Sequence, residues 1–140
     1  MRRFAPILLF LLAAAPAAGG PPKVVPGFRT PTGNIGCQYG KGFGGPYLRC
    51  DIRSGLKPKP PRPKGCVDLE WGDSFEMNAT GRVHVTCHGD TAIDPRSRVL
   101  RYGQTWMQYG FVCTSKRVGL RCRNKSRHGF FLSHQRSYRF

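Results

Sequence analysis

The chain has 140 residues, 39% of them hydrophobic, with 18 Gly, 12 Pro, six Cys and a formal net charge of +16. That length supplies one domain: divided in two, each half would hold too little core, and no internal repeat long enough for a solenoid occurs. The charge bears on partners and solubility rather than on fold.

Met1, Arg2 and Arg3 open the chain with positive charge. Phe4 to Leu12 is apolar apart from Pro6, and Ala15-Pro16-Ala17 has the small-x-small pattern of a signal-peptidase site. Residues 1–17 therefore read as a cleavable export signal. A membrane anchor is disfavoured, because roughly 20 apolar residues are needed to cross a bilayer and this run stops before Gly19-Gly20-Pro21-Pro22. No cysteine near the cleavage point offers a lipid attachment site. The expected product is a soluble periplasmic or extracellular protein with no remaining transmembrane segment. It comprises a flexible Pro/Gly-rich stretch over 18–27 and a single domain over 28–140.

Period-two alternation marks the strands. Leu48, Cys50 and Ile52 oppose Tyr47, Arg49 and Asp51; Val83, Val85 and Cys87 oppose Arg82, His84 and Thr86; Leu120 and Cys122 oppose Arg121 and Arg123. Further strands are expected at Asn34 to Tyr39, Ser74 to Asn78, Thr105 to Cys113 and Gly129 to Ser133, with Gly and Pro clustered in the turns between them. No mature segment has a helical period. The fold class is all-β, a small disulfide-stapled sandwich or partly open barrel of consecutive antiparallel hairpins.

All six cysteines lie beyond the export signal, in a compartment where disulfides form. Cys37 and Cys50 bracket the turn-rich run 40–46, and Cys113 and Cys122 bracket 114–121, so each pair can face across a hairpin. Cys66 is then left for Cys87. Each bridge contributes about 2–4 kcal/mol, mainly by restricting the unfolded chain. A zinc site would want Cys-x-x-Cys pairs and none is present; with every thiol paired, no thiolate is left for catalysis. No metal and no cofactor are expected.

Leu56 to Lys64 carries four prolines and four basic residues. It reads as an extended, solvated polyproline-type loop over 56–65 ending at Cys66, a stiff connector first and a recognition arm second. Twenty-three Lys and Arg face seven Asp and Glu; loss of Arg2 and Arg3 leaves twenty-one against seven, a net of about +14. Such a surface attracts anions over roughly 8 Å at physiological salt. Arg121, Arg123, Lys125 and Arg127 alternate, and on an extended strand they would stand about 6.6 Å apart on one face. With Lys57, Lys59, Arg62 and Lys64 they are the candidate polyanion contacts.

Trp71 and Trp106, with Tyr102 and Tyr109, would form a stacking platform if exposed together, though most tryptophans in small domains are core. His84 and His88 share a strand side but lie roughly 13 Å apart, too far to share a metal. A ribonuclease-like reading would use a histidine pair including His84 or His128, one removing a proton and one donating it. No Gly-x-Ser-x-Gly elbow supports a serine hydrolase. Asn34, Asp90, Thr91 and His128 are a candidate polar cluster at one end of the sheet, against the alternative of turn and capping duty.

Pro31-Thr32-Gly33-Asn34-Ile35-Gly36-Cys37, Leu48 to Ile52, Cys87 to Thr91, Tyr102-Gly103 with Trp106, Phe111 to Ser115 and His128 to Ser133 together resemble a bacterial family of exported proteins known as domain of unknown function 6636, from about Phe28 to Phe140. The resemblance implies a periplasmic or secreted protein with the six cysteines as scaffold, and brings no reaction or cofactor with it. Thr32 stands where members more often carry serine, which keeps the hydroxyl. The high positive charge does not resemble a family trait, so polyanion binding would be particular to this chain. A bacterial source also implies that the sequons at Asn78 and Asn124 stay unglycosylated.

The expected function is that of a non-catalytic, monomeric binding module for anionic envelope polymers or lipid head groups, with no specific nucleic acid. A small secreted phosphodiesterase is the first alternative. A partner-binding or inhibitor domain is the second.

Overall fold

The computed structural model describes residues 26–42 and 44–140. The expected export signal at 1–17 and nearly all of the expected 18–27 segment lie outside the described residues.

Eleven strands form two sheets. Sheet A contains β1 (Gly27–Arg29), β2 (Ile35–Gly42), β3 (Gly45–Ile52), β4 (Glu70–Asn78), β5 (His84–His88) and β6 (Arg98–Val99), in the order β5-β4-β3-β2-β1-β6. Sheet B contains β7 (Thr105–Gln108), β8 (Phe111–Lys116), β9 (Gly119–Arg123), β10 (Gly129–Leu132) and β11 (Ser137–Arg139), in the order β11-β10-β9-β8-β7. Neither sheet closes on itself. The protein is an all-β sandwich of two antiparallel meanders, with one departure from consecutive hairpins: β6 adds parallel to β1.

Tight turns explain why neighbours in sequence are neighbours in each sheet. Gly42 pairs with Gly45, Gln108 with Phe111 and Lys116 with Gly119, each pair enclosing two residues. Thr105 to Cys113 is thus a hairpin and not one strand. Tyr109 and Gly110 both take positive φ, 49° and 84°, the backbone of a two-residue turn whose twist suits a hairpin. The apolar pairs on either side, Trp106-Met107 and Phe111-Val112, concealed that turn, because hydrophobicity carries no information about the sign of φ.

One face of each sheet is buried against the other. Phe28, Leu48, Cys50, Ile52, Phe75 and Met77 from sheet A meet Trp106, Phe111, Leu120, Phe130 and Leu132 from sheet B in a single cluster. Phe28 and Tyr39 pack on Trp106 at centroid distances of 5.1 and 5.4 Å, and Phe75 on Phe130 at 5.6 Å. Cys37 is bridged to Cys50, and Cys113 to Cys122, each directly across a hairpin with Cα atoms 4.1 Å apart. Such closely opposed positions bring side chains nearest one another. These two bridges sit one in each inner face, so the sulfur is part of the core. The third bridge, Cys66–Cys87, ties the end of the proline-rich loop to edge strand β5.

Two segments differ from the sequence reading. The loop at 56–65 is packed against the body rather than free in solvent: Leu56 is buried, the Lys57 carbonyl accepts from the Ser137 N–H at 2.7 Å, and Trp71 donates its indole N–H to the Pro60 carbonyl. Along β5, Val85 and Cys87 are half-buried, while His88 on the other side is buried and His84 is exposed. A register irregularity in β4 between Trp71 and Phe75 bends this edge. After β5 the chain crosses the outer face of sheet A from one edge to the other, reaching β6 beside β1. This strap covers His88 and leaves His84 open. Gly36 allows it to pass, since any side chain there would collide with the Ile93 backbone.

Candidate polyanion-binding face

The outer face of sheet B is built from the alternate residues that the core does not use. Two rows cross it in register. Thr105, Thr114, Arg121, Phe131 and Tyr138 form one row; Met107, Val112, Arg123 and Gly129 form the other, continued by Phe140, whose backbone exchanges two hydrogen bonds with Gly129. Glycine makes room for the rings. A side chain at Gly119 would strike the Phe131 ring, and one at Gly129 the Phe140 ring, so each aromatic lies over a bare stretch of backbone and is anchored there.

Cationic groups lie on these rings. Phe131 and Tyr138 stack with centroids 5.2 Å apart and planes at 23°. The Arg121 guanidinium carbon lies 3.7 Å above the Phe140 centroid, and that of Arg136 5.6 Å from both Phe131 and Tyr138. A guanidinium over an aromatic face is attracted by the ring quadrupole and remains fully charged. Residues 105–140 contain eight Lys and Arg and not one Asp or Glu. Every ion pair among the described residues lies between Arg49 and Arg96. The field of sheet B is therefore not neutralised from within. At one end, a cleft of about 350 Å³ lined by Arg82, His128, Arg139 and Phe140 continues the basic surface.

The candidates are distributed as follows. Arg121 and Arg123 are exposed side by side on β9, but the alternating stripe does not continue as a strand. The chain turns at Asn124, so Lys125 and Arg127 sit on the β9–β10 connection, with Arg127 at φ 64°. Asn124 forces the turn: fully buried, it donates to the Asn78 and Gly81 carbonyls at 3.0 and 2.8 Å and accepts from the Ser126 N–H. With its amide nitrogen enclosed, it is no glycan acceptor in the folded chain. Lys57, Lys59, Arg62 and Lys64 remain exposed on the packed loop, but Lys59 and Arg62 hold Trp71 between them at 4.3 and 4.0 Å. Trp106 is core and Trp71 half-buried, so the two tryptophans form no common platform.

The polar cluster of Asn34, Asp90, Thr91 and His128 is not drawn together by hydrogen bonds. Asn34 bonds Ser54, Thr91 bonds Asp51, the Asp90 carbonyl accepts from Arg49, and His128 approaches a Phe140 backbone oxygen. His84 pairs across strands with Glu76 in sheet A, whereas His128 lines the cleft beside sheet B. Among the described residues no group of three or more His, Cys, Asp or Glu converges as a metal site, and no helix is long and apolar enough to cross a membrane.

A polar network does form elsewhere, on the outer face of sheet A. Asp51 is 1% exposed and takes two hydrogen bonds from Arg49, one from Ser74 Oγ at 2.6 Å, one from Thr91 and one from the Ala92 N–H at 2.7 Å. Burial pushes its carboxyl upward; the bonds from Arg49, Ser74 and Ala92 and the Arg49 charge outweigh that and hold it below the usual carboxylate range. Burial opposes the Arg49 charge in the same way, and Asp51 more than compensates. His88 Nε2 is 2.8 Å from Asp73 and 3.9 Å from Asp51. This cluster clamps the strap onto sheet A.

Sequence reasoning missed Phe131, Tyr138, Arg136 and Phe140 as neighbours of Arg121. The signal was available in the absence of acids after Asp94. All seven carboxylates lie between Asp51 and Asp94.

Two antiparallel sheets packed face to face and held by three disulfides define a small disulfide-stapled all-β sandwich. The chain belongs to the family of unknown function DUF6636, which matches residues 5–140 and so begins well before Phe28. No curated protein and no solved structure matches it.

Proposed function

We propose that the protein is exported and acts as a non-catalytic module that binds anionic polymers of the cell envelope through the outer face of sheet B. The observation that carries this reading is the union of eight Lys and Arg with no Asp or Glu across residues 105–140 and the Arg121, Arg136, Phe131, Tyr138 and Phe140 stack. Sheet spacing sets Arg121 and Arg123 roughly 6.6 Å apart along β9, a separation that suits successive anionic groups on a chain. Loosely hydrated guanidinium groups are the preferred partners of phosphate and sulfate.

The test is chromatography of the processed protein on heparin resin. Retention beyond about 0.15 M salt is expected, because contacts of this kind weaken steeply and together as salt rises. Replacing Arg121, Arg123 and Arg136 by Gln should move elution to lower salt more than replacing Lys59 and Arg62, whose charges lie against Trp71. Elution of the parent protein below that salt, or equal shifts for the two sets, rejects sheet B as the binding face.

A further inference from the structure

A second basic feature lies at one end of the sandwich, separate from the sheet B face. Three connections converge there: 30–34 between β1 and β2, 117–118 between β8 and β9, and 133–136 between β10 and β11. With Tyr102 they enclose a cavity of about 140 Å³. That is well below the volume of sites for drug-sized ligands, roughly 300–1,000 Å³, and about that of four or five liquid waters. It suits one small polyatomic ion or the end group of a larger molecule.

Hydrogen-bonding character narrows the choice. No carboxylate lines the cavity, while Lys116, Arg117 and His134 do. The Arg117 guanidinium is steered by the Tyr102 ring, 4.9 Å away. Thr32 Oγ1 accepts from the Asn34 N–H, which leaves its own O–H to donate elsewhere. The Asn34 side-chain oxygen is occupied by the Ser54 N–H, and its amide N–H group donates once to Ser54, leaving a second N–H. The buried Thr30 and Ser133 hydroxyls are bonded to nearby backbone and hold the walls. The lining thus offers the free Thr32 and Asn34 donors and two permanent positive charges with no carboxylate, Gln135 adding an amide that can donate or accept, which is the complement of an oxyanion.

We propose that this cavity is a binding site for a tetrahedral oxyanion, a phosphoryl or sulfuryl group, held by Lys116 and Arg117 with Thr32, Asn34 and Tyr102 completing its hydrogen bonds. Four oxygens pointing outward can engage donors from three connections at once; a planar carboxylate cannot. The site also gives the Thr32-Gly33-Asn34 turn and Tyr102 a common purpose that the sheet B reading leaves unexplained.

Isothermal titration of the processed protein with inorganic phosphate and with sulfate, at constant ionic strength, tests this. Saturable one-to-one binding is expected, with acetate and chloride inert. Binding tighter for phosphate assigns a phosphoryl ligand, and tighter for sulfate a sulfuryl one. Lys116→Gln and Arg117→Gln should each weaken binding about tenfold, the size of one charge-assisted hydrogen bond. An Arg121→Gln, Arg123→Gln variant should bind the ion unchanged even where it loses heparin, so the two sites fail or survive separately. Equal responses to chloride and phosphate, or full retention of binding in the Lys116→Gln, Arg117→Gln protein with its far-UV spectrum intact, overturn the proposal.

Discussion

Each sheet has one face in the core, and the two differ in what they do with the other. Sheet A carries Asp51, Asp73, Glu70 and Glu76 on its strands, and part of its outer face is covered by the 89–97 strap, clamped through Asp51. Sheet B carries no Asp or Glu, and its outer face presents Arg121, Arg123 and Tyr138 with the Phe140 ring half-buried beneath Arg121 and Phe131 buried beneath Tyr138. A buried carboxylate requires a full set of donors, and those donors fasten the covering segment. A face without acids has no such acceptor to fasten a cover, and its cations repel one another.

Substitutions should separate these two roles. The largest effect is expected at Asp51: Asp51→Ala leaves Arg49 and the Ala92 N–H without their acceptor and should cost about 3–5 kcal/mol of stability in urea unfolding. Heparin retention of the folded fraction should be unchanged. Asn124→Ala removes a fully buried amide that bonds the Asn78 and Gly81 carbonyls and should cost about 2–3 kcal/mol; a loss under about 0.5 kcal/mol would mean that water replaces the amide. Arg121→Ala should lower stability by only about 0.5–1 kcal/mol, the worth of its contact with Phe140, and yet lower the salt at which heparin releases the protein. If Asp51 and Arg121 proved interchangeable in these two measurements, the division between the sheets would fail.

Acid titration sharpens the same contrast. The folded-state value of Asp51 is depressed, so its contribution is fully present above the unfolded carboxylate value of about 4 and disappears as pH falls through the lower folded value. Stability should therefore decline from about pH 4 downward, and Asp51→Asn should flatten that decline. Asp94 is also lowered, to about 2, by the Arg96 side chain and then its backbone N–H. Its partner Arg96 stands open to solvent and the pair is screened, so Asp94→Asn should leave the acid limb nearly unchanged. Sheet B has no Asp or Glu side chain to titrate over this range. The smallest effect is expected for Lys59→Gln with Arg62→Gln: Trp71 loses its covering cations and should become more accessible to acrylamide quenching, with little change in the unfolding midpoint.

Much of the architecture was legible residue by residue. Leu48, Cys50 and Ile52, and Leu120 with Cys122, face the core as their alternation indicates, because pleating sends successive side chains to opposite faces whatever the rest of the chain does. Cys37 and Cys50, like Cys113 and Cys122, lie at matching distances from a tight turn, and hairpin geometry makes such positions partners. The Tyr109-Gly110 turn was hidden between the apolar pairs Trp106-Met107 and Phe111-Val112. Asn124 looked like a surface sequon, since an isolated amide carries no mark of burial. Arg121, Arg123, Lys125 and Arg127 kept their spacing in sequence, while Asn124 ended the strand beneath them.

The sequence by itself determined the class, the longer strands, the inward side of most of them and the one-sided placement of charge, all of which follow from short-range periodicity and composition; the short strands β1, β6 and β11 and the division of 105–113 did not follow from it. Only the tertiary structure decided which outward side is covered. His84 and His88 share a strand side, and the strap from residues 89–97 separates them into an exposed and a buried histidine; Phe131, Tyr138 and Phe140 come beside Arg121 because β9, β10 and β11 pair in one register. Both outcomes depend on segments meeting across the fold, and such meetings are set by packing and register over the whole sandwich rather than by any local pattern.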